Sequence, residues 1–577
     1  MDAGEDDRRL RKRARKSRGK GLRTTTGCAS HQPQASLAEN TENQDSPPVA
    51  HQSQQNDALY NYSRHREDGL FATHEPLIET EGNDGFIYSP ESISSETWSA
   101  NFASIRWLDL LSTDAALADS NFSLAASPLF SSEQPRHARP PPPAAAAIST
   151  HASPALLNGQ AQLPEDLDPE FERTTWQAVE DVVLSTHEVE LFRHFTDCCA
   201  SFLDVLDPCK PFSNYAIRLA IRNTGLMKAI LALSAKHQFS GLDVDGATRR
   251  PQTGPYSDFE GEEWIRYYYE TLQYVREALK YSSYSHSEEL LATALVISAY
   301  EMLDESDGSG NWQRHLKGIF WIQRSQDVDG GCGGLRQAVW WAWLRQDIWA
   351  AFRVSRTCFS FWVPTKALHE LDQNELADRS IYILSQAINY RANVQAAAAS
   401  GVTTNHDCKV QVSKQRERLN AMMEQWKSCL GDEYKAFPVP NTPLDEVFTP
   451  IWIHPPRFGV ALQAYSFAQI LVTLHSVNPI AVGFTEYLKM QHTVSEAVNT
   501  ICGIAMQLRD KGCQVLSAQC LYGAGLCVSE GKKRDKIISL MEECESHFRW
   551  APMTTWRKDL RREWAKADGN EIDVDDG

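Results

Sequence analysis

Cysteine is the residue of this chain best suited to metal binding or nucleophilic chemistry, but its spacing favours neither. The 13 cysteines show no recurring short spacing, and no CxxC, HExxH, GxSxG or P-loop motif occurs in the sequence. Cys513, Cys520 and Cys527 are seven residues apart, so on a helix they share one face and lie about 10 Å apart along its axis. We therefore interpret these three residues as buried core thiols.

Histidine offers a second route to chemistry, as a general base or a metal ligand. His315 lies in the stretch NWQRHLKG, and His194 and His237 lie in other helical patterns. None of the three stands in a recognisable arrangement with a nucleophile. We interpret them as core or interface histidines that make one or two hydrogen bonds.

A glycine-rich stretch, DGGCGGLRQAVWW, has some features of a phosphate-binding loop. Glycines before a helix can cradle phosphate, and Gly330, Gly331, Gly333 and Gly334 precede a helical pattern here. A preceding apolar strand, the last glycine of GxGxxG and a lysine in the loop are all missing from the sequence. The stretch therefore predicts a flexible turn that leads into a helix.

The helical pattern after this turn is rich in tryptophan. Trp340, Trp341, Trp343 and Trp349 could line an aromatic ligand pocket, fill a large helical core or form a dimer interface, and we favour the second and third roles. Arg345 and Asp347 in the same helix either pair with buried polar neighbours or lie on the surface.

A basic arm begins the sequence. Its first 23 residues hold ten basic and four acidic side chains, whereas the whole chain has a net charge of −18. Such an arm fits a nuclear import signal, and it could also contact roughly five to eight DNA phosphates without reading sequence. A solvated polar tail is the alternative. The basic residues are Arg8, Arg9, Arg11, Lys12, Arg13, Arg15, Lys16, Arg18, Lys20 and Arg23.

A second stretch mixes aromatic and aliphatic residues with acids. Acidic neighbours keep such side chains solvated, which is typical of activation segments that fold on a coactivator. Two alternatives are a tether with chance aromatics and a strip that docks on its own domain. The residues of this predicted activation segment are Phe86, Tyr88, Trp98, Phe102, Trp107, Leu108, Leu110 and Leu111.

Hydrophobic periodicity divides the rest of the chain. Residues 29–165 are rich in Ser, Ala, Pro and Gln and are predicted to be a disordered linker. From residue 166 to 567 apolar residues recur at steps of three and four, which predicts an all-α domain of many helices; residues 568–577 read as an acidic disordered tail. The odd number of cysteines, the polar start and the lack of an apolar run of about 20 residues predict an intracellular protein without a membrane span.

Several blocks of this helical region resemble the regulatory domain of fungal-specific transcription factors of the zinc binuclear cluster class. They include LLATALVISAYEMLDE, NWQRHLKGIFWIQRS, GGLRQAVWWAWLRQDIWAAF and AQCLYGAGLCV, and the resemblance covers roughly residues 185–565. It implies a large helical regulatory domain, a nuclear location and a role in transcription.

The same resemblance implies an amino-terminal cluster of six cysteines around two zinc ions, which is not present in the sequence. RTTTGC fits the lead-in to such a cluster and Cys28 fits its first ligand, but the next cysteine is Cys198. One thiolate with His31 nearby cannot hold zinc tetrahedrally. A skipped exon, a true loss of the cluster and a chance likeness all remain open. We therefore expect no cofactor in this chain, and two zinc ions only if a skipped segment restores the cluster.

The resemblance and the residues together predict a nuclear regulator of RNA polymerase II genes that is not an enzyme and lacks its own sequence-specific DNA binding. Its expected partners are a nuclear import receptor, a coactivator, related regulators as homodimer or heterodimer partners, and DNA only weakly. The alternatives are a helical scaffold that sequesters full-length relatives and a helical ligand-binding protein or enzyme.

Overall fold

A computed structural model describes residues 100–121, 169–240, 263–303, 311–399, 406–439, 446–475, 483–549 and 552–569. These residues are mostly helical, and their one β contact is an isolated antiparallel bridge between Phe437 and Trp452. The prediction of an all-α fold is confirmed. Within the described ranges, every helix is too short or too polar to cross a membrane.

The first group of helices surrounds α9, whose residues are buried on nearly every side. Helices α6, α10 and α11 pack against it, and α7 packs against α6. The bounds of this group are α1 (Ala100–Asn121), α2 (Pro169–Trp176), α3 (Thr186–His194), α4 (Ala200–Leu203), α5 (Ile217–Ala220), α6 (Thr224–Ser240), α7 (Glu263–Ala278), α8 (Ser282–Ser285), α9 (Glu288–Met302), α10 (Asn311–Ser325) and α11 (Gly334–Arg353). Two π turns, Phe195–Cys199 and Phe212–Ala216, precede α4 and α5.

The second group surrounds α14 and α16. Helix α14 packs against α12, α15 and α16, and every residue of α16 is buried. The bounds are α12 (Gln373–Ala399), α13 (His406–Ser428), α14 (Pro456–Leu474), α15 (Phe484–Ala505), α16 (Gln514–Gly525), α17 (Gly531–His547) and α18 (Pro552–Ala567), with 3-10 turns at Leu368–Glu370 and Asp432–Tyr434. Because α11 packs against α9, α10 and α12, it joins the two groups into one continuous apolar core.

Local sequence explains where several helices begin. Ser185 and Glu188 form a capping box at the start of α3, and the Ser287 hydroxyl accepts a hydrogen bond from the Leu290 amide at the start of α9. The glycine-rich stretch forms a turn into α11, where Gly333 has a φ of +80° that favours glycine. Pro456 occupies the first turn of α14, where its missing amide hydrogen costs nothing.

Helix α1 corrects the prediction that residues 29–165 are disordered throughout. Ala100–Asn121 form a helix of 22 residues that packs against α10 and also against α7 and α8. Ala103, Trp107, Leu108 and Leu111 recur at steps of one, three and four on its buried side, and burying them offsets the conformational entropy that disorder would retain. The disorder prediction failed here because the overall composition of the linker hid this one amphipathic stretch.

The ends of the chain are described only in part. The basic arm, Cys28, Phe86, Tyr88 and Trp98 lie outside the described residues. Asp568, the first residue of the predicted disordered tail, is ordered, because its carboxylate accepts hydrogen bonds from the Arg534 guanidinium at 2.5 and 3.1 Å.

Candidate functional site

The docked face of α1 is the part of the predicted activation segment that the structure describes. Trp107 is 1% exposed, Leu108 5% and Leu111 0%. Leu110 is half-buried and Phe102 is exposed. The prediction that acids keep these side chains solvated is therefore wrong for Trp107, Leu108 and Leu111, and the alternative of a strip docked on its own domain describes them.

Gly318 in α10 provides the space for this contact. A Cβ atom added at Gly318 would lie 2.6 Å from Cδ1 and 3.1 Å from Cβ of Trp107, closer than such atoms pack. The α1 backbone can approach α10 here because residue 318 has no side chain. Gly318 was not among the residues predicted to form a site. The signal for it is a glycine inside a strongly helical stretch, which costs about 1 kcal/mol relative to alanine and so indicates a packing requirement.

A polar contact also ties α1 to the domain. The Arg276 guanidinium of α7 donates a hydrogen bond to the Ser112 hydroxyl at 3.3 Å. On the opposite side of α1, Asp109 is exposed. Helix α1 thus presents Trp107, Leu108 and Leu111 to the domain, while its solvent side carries Asp109 together with the exposed side chains of Phe102 and Ile105.

The tryptophan-rich region is a packed core. Trp340, Trp341, Trp343 and Trp349 are all buried, and Trp349 packs against Trp556 of α18 with ring centroids 4.6 Å apart. The cavity beside Trp349 has a volume of about 10 Å³, enough for one water molecule. These residues therefore fill the helical core, as favoured above.

Arg345 and Asp347 are buried and make structural contacts. Arg345 donates hydrogen bonds to the carbonyl oxygens of Phe202 and Leu203 at 3.2 and 2.8 Å, which ties α11 to α4. Burial lowers the pKa of Arg345 to about 10. Asp347 accepts hydrogen bonds from the Arg356 guanidinium and the Phe359 amide, both at 2.7 Å. Arg345 thus provides a hydrogen-bond donor for backbone carbonyl groups at the end of α4, and Asp347 provides an acceptor for a backbone amide outside the helices.

Two of the three cysteines spaced by seven occupy the core as predicted, and the third lies at its edge. Cys513 and Cys520 are buried and Cys527 is half-buried. Burial raises the pKa of all three thiols, that of Cys527 to about 12, so they are protonated at neutral pH. His315 is also buried, with its Nδ1 atom 3.7 Å from Oε2 of Glu301.

His194 and His237 contact one another, and a cysteine lies beside them. Nε2 of His194 and Nδ1 of His237 are 2.8 Å apart, a hydrogen-bond distance. Cys199 contributes a thiol to the same cluster, since the three side chains offer one ligand atom each, all within 4.8 Å of one another. Their proximity could not be predicted from local sequence, because they come from α3, a π turn and α6.

A cleft at the carboxyl end of α15 has a volume of about 160 Å³. It lies between the Ile451–Ile453 segment and residues Ile504–Asp510. Ligand pockets usually have volumes of about 300–1,000 Å³. The cleft is thus small for an inducing ligand.

Comparisons with known proteins point to transcription. Residues 190–320, from α3 into α10, match the family model of the fungal specific transcription factor domain. The chain is 22% identical over 346 residues to the transcription activator AMTR1 of Alternaria alternata, a match that covers 48% of this chain and 44% of that protein. No solved structure matches the chain. The helical core at residues 190–320 is therefore similar to the fungal specific transcription factor domain.

Proposed function

We propose that this protein is a nuclear regulator of RNA polymerase II genes whose helical domain holds part of its activation segment in a docked state. The burial of Trp107, Leu108 and Leu111 carries the proposal. These are the apolar side chains through which an acidic segment would bind a coactivator. Docking on the domain and binding to a coactivator therefore compete for the same residues.

The energy of this competition sets how strongly the segment is masked. Removing a fully buried tryptophan side chain costs about 3–5 kcal/mol, and Trp107 is 1% exposed. A coactivator, or any signal that weakens docking, must supply a comparable difference in binding free energy between the docked and free states. The domain thus acts as an inhibitor of its own activation segment.

The basic arm and the missing cysteines complete the proposal. Arg8 to Arg23 would engage a nuclear import receptor and contact DNA phosphates weakly, without reading bases. Because Cys28 has no neighbouring cysteine in the sequence, the chain would reach specific promoters through a related regulator that pairs with it. In this proposal no side chain has a catalytic role.

A reporter assay tests the proposal. The full chain and residues 1–165 alone are each fused to a foreign DNA-binding module. We expect residues 1–165 to activate transcription and the full chain to activate it less, since the domain covers α1. Silence of residues 1–165 would refute the activation role. If residues 1–165 are silent and co-expression of this protein lowers the activity of a full-length relative, the protein is a sequestering scaffold instead.

A further inference from the structure

The cluster of His194, Cys199 and His237 lies in the core of the domain, and transcriptional activation as proposed above makes no use of it. We propose that these three side chains form a binding site for a thiophilic monovalent metal ion, Cu⁺. The three ligand atoms lie within 4.8 Å of one another. Metal bonds of about 2.0–2.3 Å in a trigonal arrangement require donor atoms about 3.5–4 Å apart. The contacting nitrogens of His194 and His237, 2.8 Å apart in the apo site, would move apart and give up their mutual hydrogen bond as the ion binds.

The π turn explains how His194 and Cys199 come to face the same side. They are five residues apart, and five residues of a regular α-helix advance about 1.4 turns, which would point the two side chains in different directions. The chain from Phe195 to Cys199 is π-helical, and the Ala200 amide bonds back to the Phe195 carbonyl. This wider turn makes five residues close to one full turn. Such π turns cost stability and occur often at functional sites.

Helix α6 supplies the third ligand and closes the site. His237 is 6% exposed and Cys199 1%. The Phe548 ring packs against the His237 ring with centroids 4.8 Å apart. Packing from three separate elements fixes the rings in place, so binding a metal ion would require little ordering of side chains.

The two histidines are paired in the apo site, so metal binding requires a change of tautomer. One imidazole donates its N–H to the other ring across the 2.8 Å contact between Nε2 of His194 and Nδ1 of His237. A neutral imidazole has one ring nitrogen with a lone pair, so the donating ring must shift its proton to its other nitrogen before both rings can bind the ion.

Cys199 must lose a proton to bind the metal. Burial raises the pKa of its thiol, so the apo site holds Cys–SH. Binding would follow Cys–SH + Cu⁺ → Cys–S–Cu + H⁺, with the proton released to solvent and no change in oxidation state.

Charge balance favours Cu⁺ over Zn²⁺. One thiolate and two neutral imidazoles carry a single negative charge, which a monovalent ion cancels and a divalent ion does not. An uncompensated charge in the core is costly, and the Lys511 ammonium, whose Nζ lies 3.6 Å from the Sγ atom of Cys198, adds to that cost. Mg²⁺ and Ca²⁺ require oxygen ligands, which these three side chains do not provide.

The test uses the full-length reduced protein under anaerobic conditions. Cu⁺ is titrated in competition with a chromophoric Cu⁺ chelator, and Zn²⁺ is titrated in a separate arm. The variants are Cys199→Ala, His237→Gln and His194→Gln. Cys520→Ala is the matched control for a buried thiol and Cys209→Ala for an exposed thiol.

We expect one Cu⁺ per chain that survives the chelator, with affinity about 100-fold or more lower in each site variant and unchanged in both controls. X-ray absorption of the Cu⁺ protein should show mixed nitrogen and sulfur ligands, a result that a purely structural role for the histidines would not produce. Circular dichroism confirms that each variant is folded, and if Cys199→Ala or His237→Gln unfolds, the test rests on His194→Gln, whose side chain is half-buried.

Two outcomes overturn the proposal. Equal Cu⁺ affinity in the wild type and in folded His194→Gln would show that the metal binds elsewhere, and so would a spectrum with sulfur ligands alone. Retention of Zn²⁺ in preference to Cu⁺, lost in the site variants, would overturn the assignment of a monovalent ion. Because the readout is metal binding, failure here leaves the proposed transcriptional function untouched.

Discussion

Substituting Gly318 tests whether α1 is held by its contact with α10. In Gly318→Ala the new Cβ would lie 2.6 Å from Cδ1 of Trp107. The crowded atoms belong to the ring and to the base of the side chain, so α1 itself must move. Overpacking of this kind costs about 1–3 kcal/mol. Because 1.4 kcal/mol corresponds to a tenfold change, we expect the undocked population of α1 to rise about 5- to 150-fold.

The stability of the rest of the domain, unlike the docking of α1, should not decrease in Gly318→Ala. Gly318 lies inside α10, and replacing a helical glycine by alanine favours the helix by about 1 kcal/mol. Unfolding of the domain in denaturant should therefore be unchanged or slightly harder, while α1 loosens. A substitution that weakens one contact and strengthens the surrounding helix separates undocking from general destabilisation.

Hydrogen exchange of the α1 amides measures the effect. Protection in α1 should fall by the same 5- to 150-fold, with α9 and α11 unchanged. Gly331→Ala is the matched control, because a Cβ there meets only Oδ1 of Asp329 at an ordinary 3.6 Å. In a Trp107→Ala background Gly318→Ala should reduce protection less, since the 2.6 Å contact with the ring is gone and only the 3.1 Å contact with Cβ remains. The transcriptional activity of the full chain carrying Gly318→Ala should rise in the reporter assay as α1 undocks. Unchanged protection of α1 in Gly318→Ala would refute the docking model.

Three further predictions concern stability. Burial raises the pKa of Asp204 to about 6, so the folded state holds a proton that the unfolded state loses above about pH 4. Through this group the free energy of unfolding should therefore fall by about 1 kcal/mol from pH 5 to 7. Denaturant titrations of Asp204→Asn should lack that part of the pH dependence. Asp347→Ala leaves the Arg356 guanidinium without its buried partner and should lower the free energy of unfolding by about 3–5 kcal/mol, measured in urea. Gly523→Ala places a Cβ 2.2 Å from the Phe467 ring and should cost about 1–3 kcal/mol by the same measurement, whereas an unchanged midpoint would show that α14 and α16 can separate freely.

Much of the helical architecture was readable from local patterns. The six prolines from Pro438 to Pro456 are incompatible with one continuous helix, and α14 begins at Pro456. Trp556, Leu560 and Trp564 recur at steps of four, and all three are buried in α18. Periodicity works for such elements because each helix buries the face that its own sequence makes apolar.

The linker shows where local reasoning was insufficient. Its composition predicted disorder, yet one stretch of it contains an apolar face that fits the groove beside Gly318. Composition averages over many residues, whereas docking depends on one face of one helix meeting a complementary surface. That surface is formed by residues more than 150 positions away, so no local window of the sequence contains it.

The all-α class, the core thiols at Cys513 and Cys520 and the likeness to fungal transcription factors could all be predicted from the amino-acid sequence, because they follow from periodicity and from ordered blocks of residues. The burial of Trp107 and the meeting of His194, Cys199 and His237 became visible in the folded domain alone. Both depend on the packing of separate helices, and the second also requires a π turn that brings residues five apart onto one side.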